Sequence, residues 1–247
     1  MSPSEGRRRF GLLLDLSHAG FAAVLNEAGT AALASSTRPA GTRHDDVADW
    51  TEGLLKQAGG AFTDLAWIVT GVGPGSFTGI RIAMAFAQGV ALPLGLPVFG
   101  VTSFEALHLS ARSAGVTPDG SRMVAVIPAN TGRYYVSESL ADAGALVAGD
   151  ELAKRLRDIS GGVGVTSGLV ITPDATGDLK GLVAAAPGAF TVWAPGDGAE
   201  RAWDAVAMAQ RARAAKAQGR GLVRPVYLQL SAAEEKFGPA DVEGATL

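Results

Sequence analysis

The 247 residues contain no cysteine, which excludes disulfides, zinc–thiolate centres and cysteine nucleophiles without fixing a compartment. Histidine is nearly as scarce. His18, His44 and His108 show neither His-x-x-x-His nor His-Glu-x-x-His spacing, so a zinc or iron hydrolase has no visible ligands. No Gly-x-Ser-x-Gly elbow occurs, and no serine has an evident His and Asp to activate it. Charged residues make up only 18% and aromatic residues 6%, whereas glycine reaches 33 residues, so packing must rely on close approach of backbones. Net charge is −3 and the pI is near 5.6, which argues against an autonomous nucleic-acid binder. The apolar run after Arg7-Arg8-Arg9 is too short for a signal peptide and is interrupted by Asp15. Ile82 to Val101 carries no charge, yet Gln88, Pro93 and Pro97 break it, and it reads as soluble core rather than a membrane span. A cytoplasmic protein without membrane contact is expected.

What is present centres on Thr70-Gly71-Val72-Gly73-Pro74-Gly75-Ser76-Phe77-Thr78-Gly79-Ile80-Arg81. Leu65–Val69 before it reads as a buried strand and Thr78–Leu92 after it as a helix, with Ser76 or Thr78 as the cap. A glycine loop entering a helix leaves N–H groups that can hold a phosphate. The Gly-Lys-Ser/Thr ending and the Gly-x-Gly-x-x-Gly spacing are both missing, so the tight-turn reading is preferred. Within the helix, Gly79, Ala83, Ala87 and Ala91 recur every fourth residue as a ridge of small side chains. Ile82, Phe86 and Val90 form a second ridge. A helix apolar on nearly all sides must be covered twice, by its own sheet and by either another element of the chain or a partner's helix.

In order, strands are expected at Phe10–Asp15, Phe21–Leu25 and Thr30–Ser36, then a helix from Thr42 or Asp45 to Gly59-Gly60. After the central strand and helix come a strand at Val98–Val101 and a helix at Phe104–Ser113. Pro118-Asp119-Gly120 marks a linker. The second half is expected to hold strands near Met123–Ile127, Tyr134–Leu140, Gly168–Thr172 and Phe190–Val192, with helices at Glu151–Ile159 and Glu200–Gln218. Periodicity alone gives mixed α/β. The domains expected are a lobe at 1–114 and a smaller one at 115–247 that includes the helix 200–218 and a mobile tail from Ser231.

Asp15, at the end of the first strand, either serves chemistry or caps the turn through Ser17 to Gly20, and the cap is favoured because aspartate does this well. His44 with Asp45, Asp46 and Asp49 opens a helix, where acids suit the dipole. Gly161-Gly162-Val163-Gly164 is read as a turn. Arg211, Arg213 and Lys216 are either an RNA-facing patch or, preferably, solvated cations at a helix C-terminus.

Gly73-Pro74-Gly75-Ser76-Phe77-Thr78-Gly79-Ile80-Arg81, with Gly89, Gly95-Leu96-Pro97 and Gly100-Val101-Thr102-Ser103-Phe104-Glu105-Ala106-Leu107, resembles the signature of the TsaB (YeaZ) family over about residues 70–107. The order β-β-β-α-β-α-β-α likewise resembles one lobe of the actin/sugar kinase (ribonuclease H-like) superfold, with the second lobe reduced. The resemblance implies a non-catalytic partner of a TsaD-type subunit in threonylcarbamoyladenosine modification of tRNA position 37. A TsaE-type ATPase would join the assembly, tRNA would be met only through the complex, and the same surface would also serve a homodimer. It implies no cofactor of its own, with ATP or ADP at a partner interface, and it implies Asp15, Gly73, Gly75 and Ser76 as the residues nearest a nucleotide. The partner interface would comprise Gly79, Ala83, Phe86 and Ala87 on one helix and Trp50 and Leu54 on the helix before it. The alternative is a nucleotide-dependent hydrolase or kinase using Asp15 and the 71–79 loop; a peptidase label belongs with it, and the missing nucleophile counts against that. The family's usual Asp-Thr after the first strand is Asp15-Leu16-Ser17 here, and its Asp-Ala-Arg-Arg-Gly-Glu-Val-Tyr segment is Pro128-Ala129-Asn130-Thr131-Gly132-Arg133-Tyr134-Tyr135. Near the end Pro225-Val226-Tyr227-Leu228-Gln229 replaces Pro-x-Tyr-Leu-Arg.

Overall fold

The computed structural model describes residues 9–39, 41–116, 122–129, 132–140, 142–160, 168–173, 177–185, 190–195, 203–215 and 223–226. Strands β1 (Phe10–Asp15), β2 (Gly20–Asn26) and β3 (Ala32–Arg38) form an antiparallel meander. Helix α1 (Val47–Gln57), β4 (Leu65–Gly71), α2 (Phe77–Leu94), β5 (Val98–Val101) and α3 (Ser103–Ser113) follow. The sheet order is β3-β2-β1-β4-β5, with β4 parallel to β1 and β5 parallel to β4. Every residue of β1 is buried, because an uninterrupted run such as Phe10-Gly11-Leu12-Leu13-Leu14 needs cover on both faces. On one face Leu12, Leu14, Ala22, Val24 and Ile68 meet α1 and α2 through Leu54, Leu55, Ala83, Ala87 and Ala91.

The second half repeats this plan. Strands β6 (Arg122–Pro128), β7 (Arg133–Ser137) and β8 (Ala145–Ala148) form the meander, and β9 (Gly168–Ile171) and β10 (Phe190–Trp193) add in parallel, giving the order β10-β9-β6-β7-β8. Helices α4 (Gly149–Ser160) and α5 (Gly177–Ala185) connect them, and α6 (Ala205–Ala214) ends the series. The expected reduction of this lobe therefore lies in strand length, since β8, β9 and β10 have four residues each, and not in strand number. The sequence reading missed β8, which is short and built largely of small residues, and α5, whose Gly177 and Gly181 argue against a helix. The strand expected at Tyr134–Leu140 ends at Ser137, and the helix expected at Glu200–Gln218 is described as Ala205–Ala214. Its start is fixed by Asp204, whose carboxylate accepts from the Ala207 N–H at 2.8 Å. Gly161 to Gly164, Lys216 and the tail from Ser231 lie outside the described residues.

The division at residue 114 separates the chain but not the core. Helix α6 packs on the first sheet, where Ala205, Met208, Ala209 and Ala212 meet Leu13, Phe21, Ala23, Trp67 and Val69. Arg213 lies 4.7 Å over the Trp67 ring and donates to the Ala28 carbonyl at 2.6 Å, while Arg211 donates to Glu105 at 2.8 Å. These two arginines fasten α6 to the β2–β3 turn and to α3, while Arg211 stays exposed to solvent. Helix α3 joins the lobes, placing Ala106 against the first sheet and Phe104, Leu107 and Ala111 against Ala125, Ile127, Tyr135, Leu169, Ile171 and Trp193 of the second.

His108 sits in this seam at 1% exposure, and neither ring nitrogen makes a well-formed hydrogen bond. Burial, with Arg112 adding to it, lowers its pKa from 6.5 to about 4, against weaker opposition from the Ser137 backbone and Asp142. The unfolded chain thus binds the extra proton first, so stability is lost as pH falls from about 6.5 towards 4. Denaturant titrations across that window should show a loss of up to about 3 kcal/mol that is much smaller in His108→Phe. An equal slope in both proteins would contradict this account.

Two glycines of α2 give predictions of opposite sign. A Cβ at Gly79 would overlap the Leu16 carbonyl oxygen, whereas one at Gly89 meets nothing within 4 Å. Gly89→Ala should stabilise by about 0.5–1 kcal/mol through helix propensity. Gly79→Ala should instead destabilise by about 2 kcal/mol, because overlap with backbone outweighs the same gain. Thermal melts of the two variants check the signs.

Candidate functional site

The ends of β1, β4 and β5 meet at one edge of the first sheet, the edge from which the glycine loop departs. Asp15 is 5% exposed, and its Oδ1 accepts from the Ser17 N–H at 2.8 Å and from the Ser17 hydroxyl. The Ser103 hydroxyl donates to Ser17 Oγ at 3.2 Å, so a buried relay runs from the start of α3 to the end of β1. Gly71 lies against the Asp15 carboxylate with no room for a Cβ. The Ser76 N–H donates to the Ser17 carbonyl at 2.7 Å, and the Ser103 N–H donates to the Gly73 carbonyl at 2.8 Å. Gly73 adopts a φ of +89°, a backbone conformation that side chains resist. Gly75 faces the Ser17 carbonyl at a distance that excludes a Cβ. Ser76 caps α2, accepting from the Gly79 N–H at 3.2 Å.

The structure thus brings together all four residues associated with a nucleotide, Asp15, Gly73, Gly75 and Ser76, and ties Asp15, Gly73 and Ser76 to Ser17, Ser103 and Gly79. An anion at a helix start needs free N–H groups. Here those of Ser76 and Gly79 are already engaged, and an oxygen of Asp15 is held by Ser17. This geometry supports the turn reading of the loop and the cap reading of Asp15. Sequence reasoning missed the third contributor. Thr102 and Glu105 form a reciprocal cap, with the Thr102 N–H donating to Glu105 at 3.0 Å and the Glu105 N–H to Thr102 Oγ1 at 3.1 Å. The Thr-x-x-Glu spacing was the available signal.

The residues expected at a partner surface divide in two. Gly79, Ala83, Ala87 and Leu54 face inward; Ala83 and Ala87 are wholly buried against the sheet and Leu54 is 3% exposed. The ridge of small side chains lets α2 approach its own sheet, and that use occupies it. Phe86 and Trp50 are half-buried, Phe86 edge-on to Phe62 at 6.0 Å and Trp50 beneath the Arg38 guanidinium at 4.2 Å. The outward face of α2 is different. Thr78, Ala85, Gly89 and Leu92 are exposed and form a stripe that faces away from the core, while Ile82 between them is half-exposed and packs against the core's margin. Leu92 is 85% exposed, and Phe77 and Leu94 flank the stripe at 41% and 38%. Among the described residues α2 is also the one helix long and apolar enough to cross a membrane, by length and composition only. Its inner ridge is committed to the sheet.

Comparison with known proteins bears on the fold and family. The family model described as TsaD, tRNA N6-adenosine threonylcarbamoyltransferase, matches residues 40–165, half of the chain. The tRNA threonylcarbamoyladenosine biosynthesis protein TsaB of Escherichia coli (strain K12) is 35% identical over 141 residues, covering 53% of this chain and 59% of that protein. The chain therefore spans about three fifths of that curated relative's length. The YeaZ structure from Pseudomonas aeruginosa superposes with a TM-score of 0.64 at 26% identity, over 89% of this chain and all of that one. A second Pseudomonas aeruginosa structure, described as similar to peptidase YEAZ, gives 0.66 at 25% identity over 90% of this chain and all of that one. The two five-stranded sheets with their helices are the two-lobed fold of these structures, and the chain belongs to the TsaB (YeaZ) family.

Proposed function

We propose that the protein is a non-catalytic partner of a TsaD-type subunit in threonylcarbamoyladenosine modification of tRNA, working in the cytoplasm and meeting tRNA only through the complex. The observation that carries this reading is the outward stripe of α2, with exposed Thr78, Ala85, Gly89 and Leu92 along one helix face. Small residues at its centre let a second helix approach closely, and exposed Leu92, Phe77 and Leu94 supply apolar area at either end. The partner surface thus sits one helix face away from Ala83 and Ala87, with Phe86 and Trp50 at its margin. A homodimer through the same stripe would compete with the heterodimer. A TsaE-type ATPase joins the assembly, and ATP or ADP is held where subunits meet rather than by Asp15 alone. Support for the accessory role comes from Asp15, Ser17 and Ser103, whose polar groups are turned onto one another.

Mixing the protein with the TsaD-type subunit of its own organism should give a complex by native mass. Ala85→Arg should weaken it at least about 30-fold, equivalent to about 2 kcal/mol, without lowering the melting temperature. Ala83→Arg should fail earlier, because it places a charge in the core and unfolds the lobe. A complex unaffected by Ala85→Arg would place the interface elsewhere. Nucleotide hydrolysis by the isolated protein that is lost in Asp15→Ala would replace this reading with the nucleotide-dependent enzyme.

A further inference from the structure

On the sheet face opposite α2, the ends of α3 and α6 leave a cleft beside β2 and β3, with a cavity of about 310 Å³. That volume is at the lower end of small-molecule sites. Its apolar wall is Trp203, half-buried and packed on Phe21 with ring centroids 6.4 Å apart at 32°. Asp204 lines the same cleft, with Ser35 and Ser113 beside it. The Asp204 carboxylate accepts from the Ala207 N–H at 2.8 Å and from the Ser113 hydroxyl, and both donors are neutral. Among the described residues no cationic side chain lies within ion-pair distance of it. The nearby cations of α6 are engaged elsewhere, Arg211 with Glu105 and Arg213 with the Ala28 carbonyl and the Trp67 ring.

A concave site that combines a carboxylate, offset in part by the start of α6 that it caps, with an aromatic face selects by charge. A cation gains both from the carboxylate and from the ring quadrupole, an anion is repelled, and a neutral molecule gains only apolar contact. We infer that the cleft between β3, α3 and α6 binds a small organic cation, an amidinium, guanidinium or ammonium on a short flat or apolar body. Its positive group faces Asp204 and its body lies against Trp203. The inference is independent of the proposed role of α2, because the two surfaces lie on opposite faces of the sheet.

Benzamidinium and its neutral counterpart benzamide are the probes, followed by the indole N–H resonance of Trp203, assigned through its loss in Trp203→Phe. Benzamidinium should shift that resonance saturably with a Kd below about 5 mM, and benzamide should bind at least about tenfold more weakly. Asp204→Asn keeps a competent helix cap and should reduce benzamidinium to the level of benzamide. Ser113→Ala removes one donor from the carboxylate without touching its charge and should leave binding intact or tighter. Absence of saturable binding, equal affinity for the two probes, or full retention of benzamidinium binding in a folded Asp204→Asn protein would each overturn the inference.

Discussion

The first lobe depends on one contact, the backbone-on-backbone approach of the 72–76 loop and the start of α2 to the turn after β1. The Ser76 N–H reaches the Ser17 carbonyl, and Gly71, Gly75 and Gly79 each face atoms of residues 15–18 with no space for a side chain. From that contact the direction of α2 follows, and with it which of its ridges lies on the sheet. The same contact orders α3, because the Ser103 N–H is held by Gly73 and its hydroxyl by Ser17. Helix α3 in turn carries the seam with the second sheet through Phe104, Leu107 and Ala111. A local glycine requirement at residues 71–79 is thus transmitted to the arrangement of both lobes.

The closeness that makes the loop rigid also settles what its polar groups are free to do. A carboxylate at the end of β1 and a glycine loop entering a helix are the ingredients of an anion or metal site when their donors and acceptors point outward. In this chain an oxygen of Asp15 is met by two donors of Ser17, and Ser76 spends its N–H on Ser17 and its hydroxyl oxygen on Gly79. Opening such a buried set for a ligand costs about 1–3 kcal/mol for each polar group left unpaired. The geometry therefore favours a structural use of this edge.

Much of the first lobe was legible because its signals are local. β1 and β5 fall on the residues that their apolar runs and flanking turns mark, and β4 and α2 agree to within two residues. One helical discrepancy there is instructive. Pro93 reads as a breaker, yet α2 continues to Leu94 and closes on Gly95 in the left-handed conformation. The second lobe was less legible, because β8 and α5 are short and contain small residues or glycine, so pairing and burial decide them rather than propensity. At the candidate site, the glycine pattern and the capping role of Asp15 could be read, whereas the Ser17–Ser103 bond links residues far apart in sequence. Which face of α2 points outward was not readable either. Four-residue spacing identifies a ridge, but the orientation of that ridge depends on the Leu16–Gly79 approach, which exists only in three dimensions.

That orientation explains how neighbouring residues of one helix come to serve opposite ends. Ala83 and Ala85 are chemically identical and two positions apart, so they point roughly 200° away from each other around the helix. Ala83 is fully buried because α2 needs a small side chain to lie close to Leu12 and Leu14, and Ala85 is exposed with no such duty. A surface helix with only structural work would carry charge at Ala85, Gly89 and Leu92, since each would gain solubility and, at Gly89, helix propensity. The chain instead keeps glycine where a Cβ would meet open space and leucine at 85% exposure. Residues that are unfavourable for the isolated lobe yet suit a close helix-to-helix contact fit a surface whose second cover comes from another polypeptide.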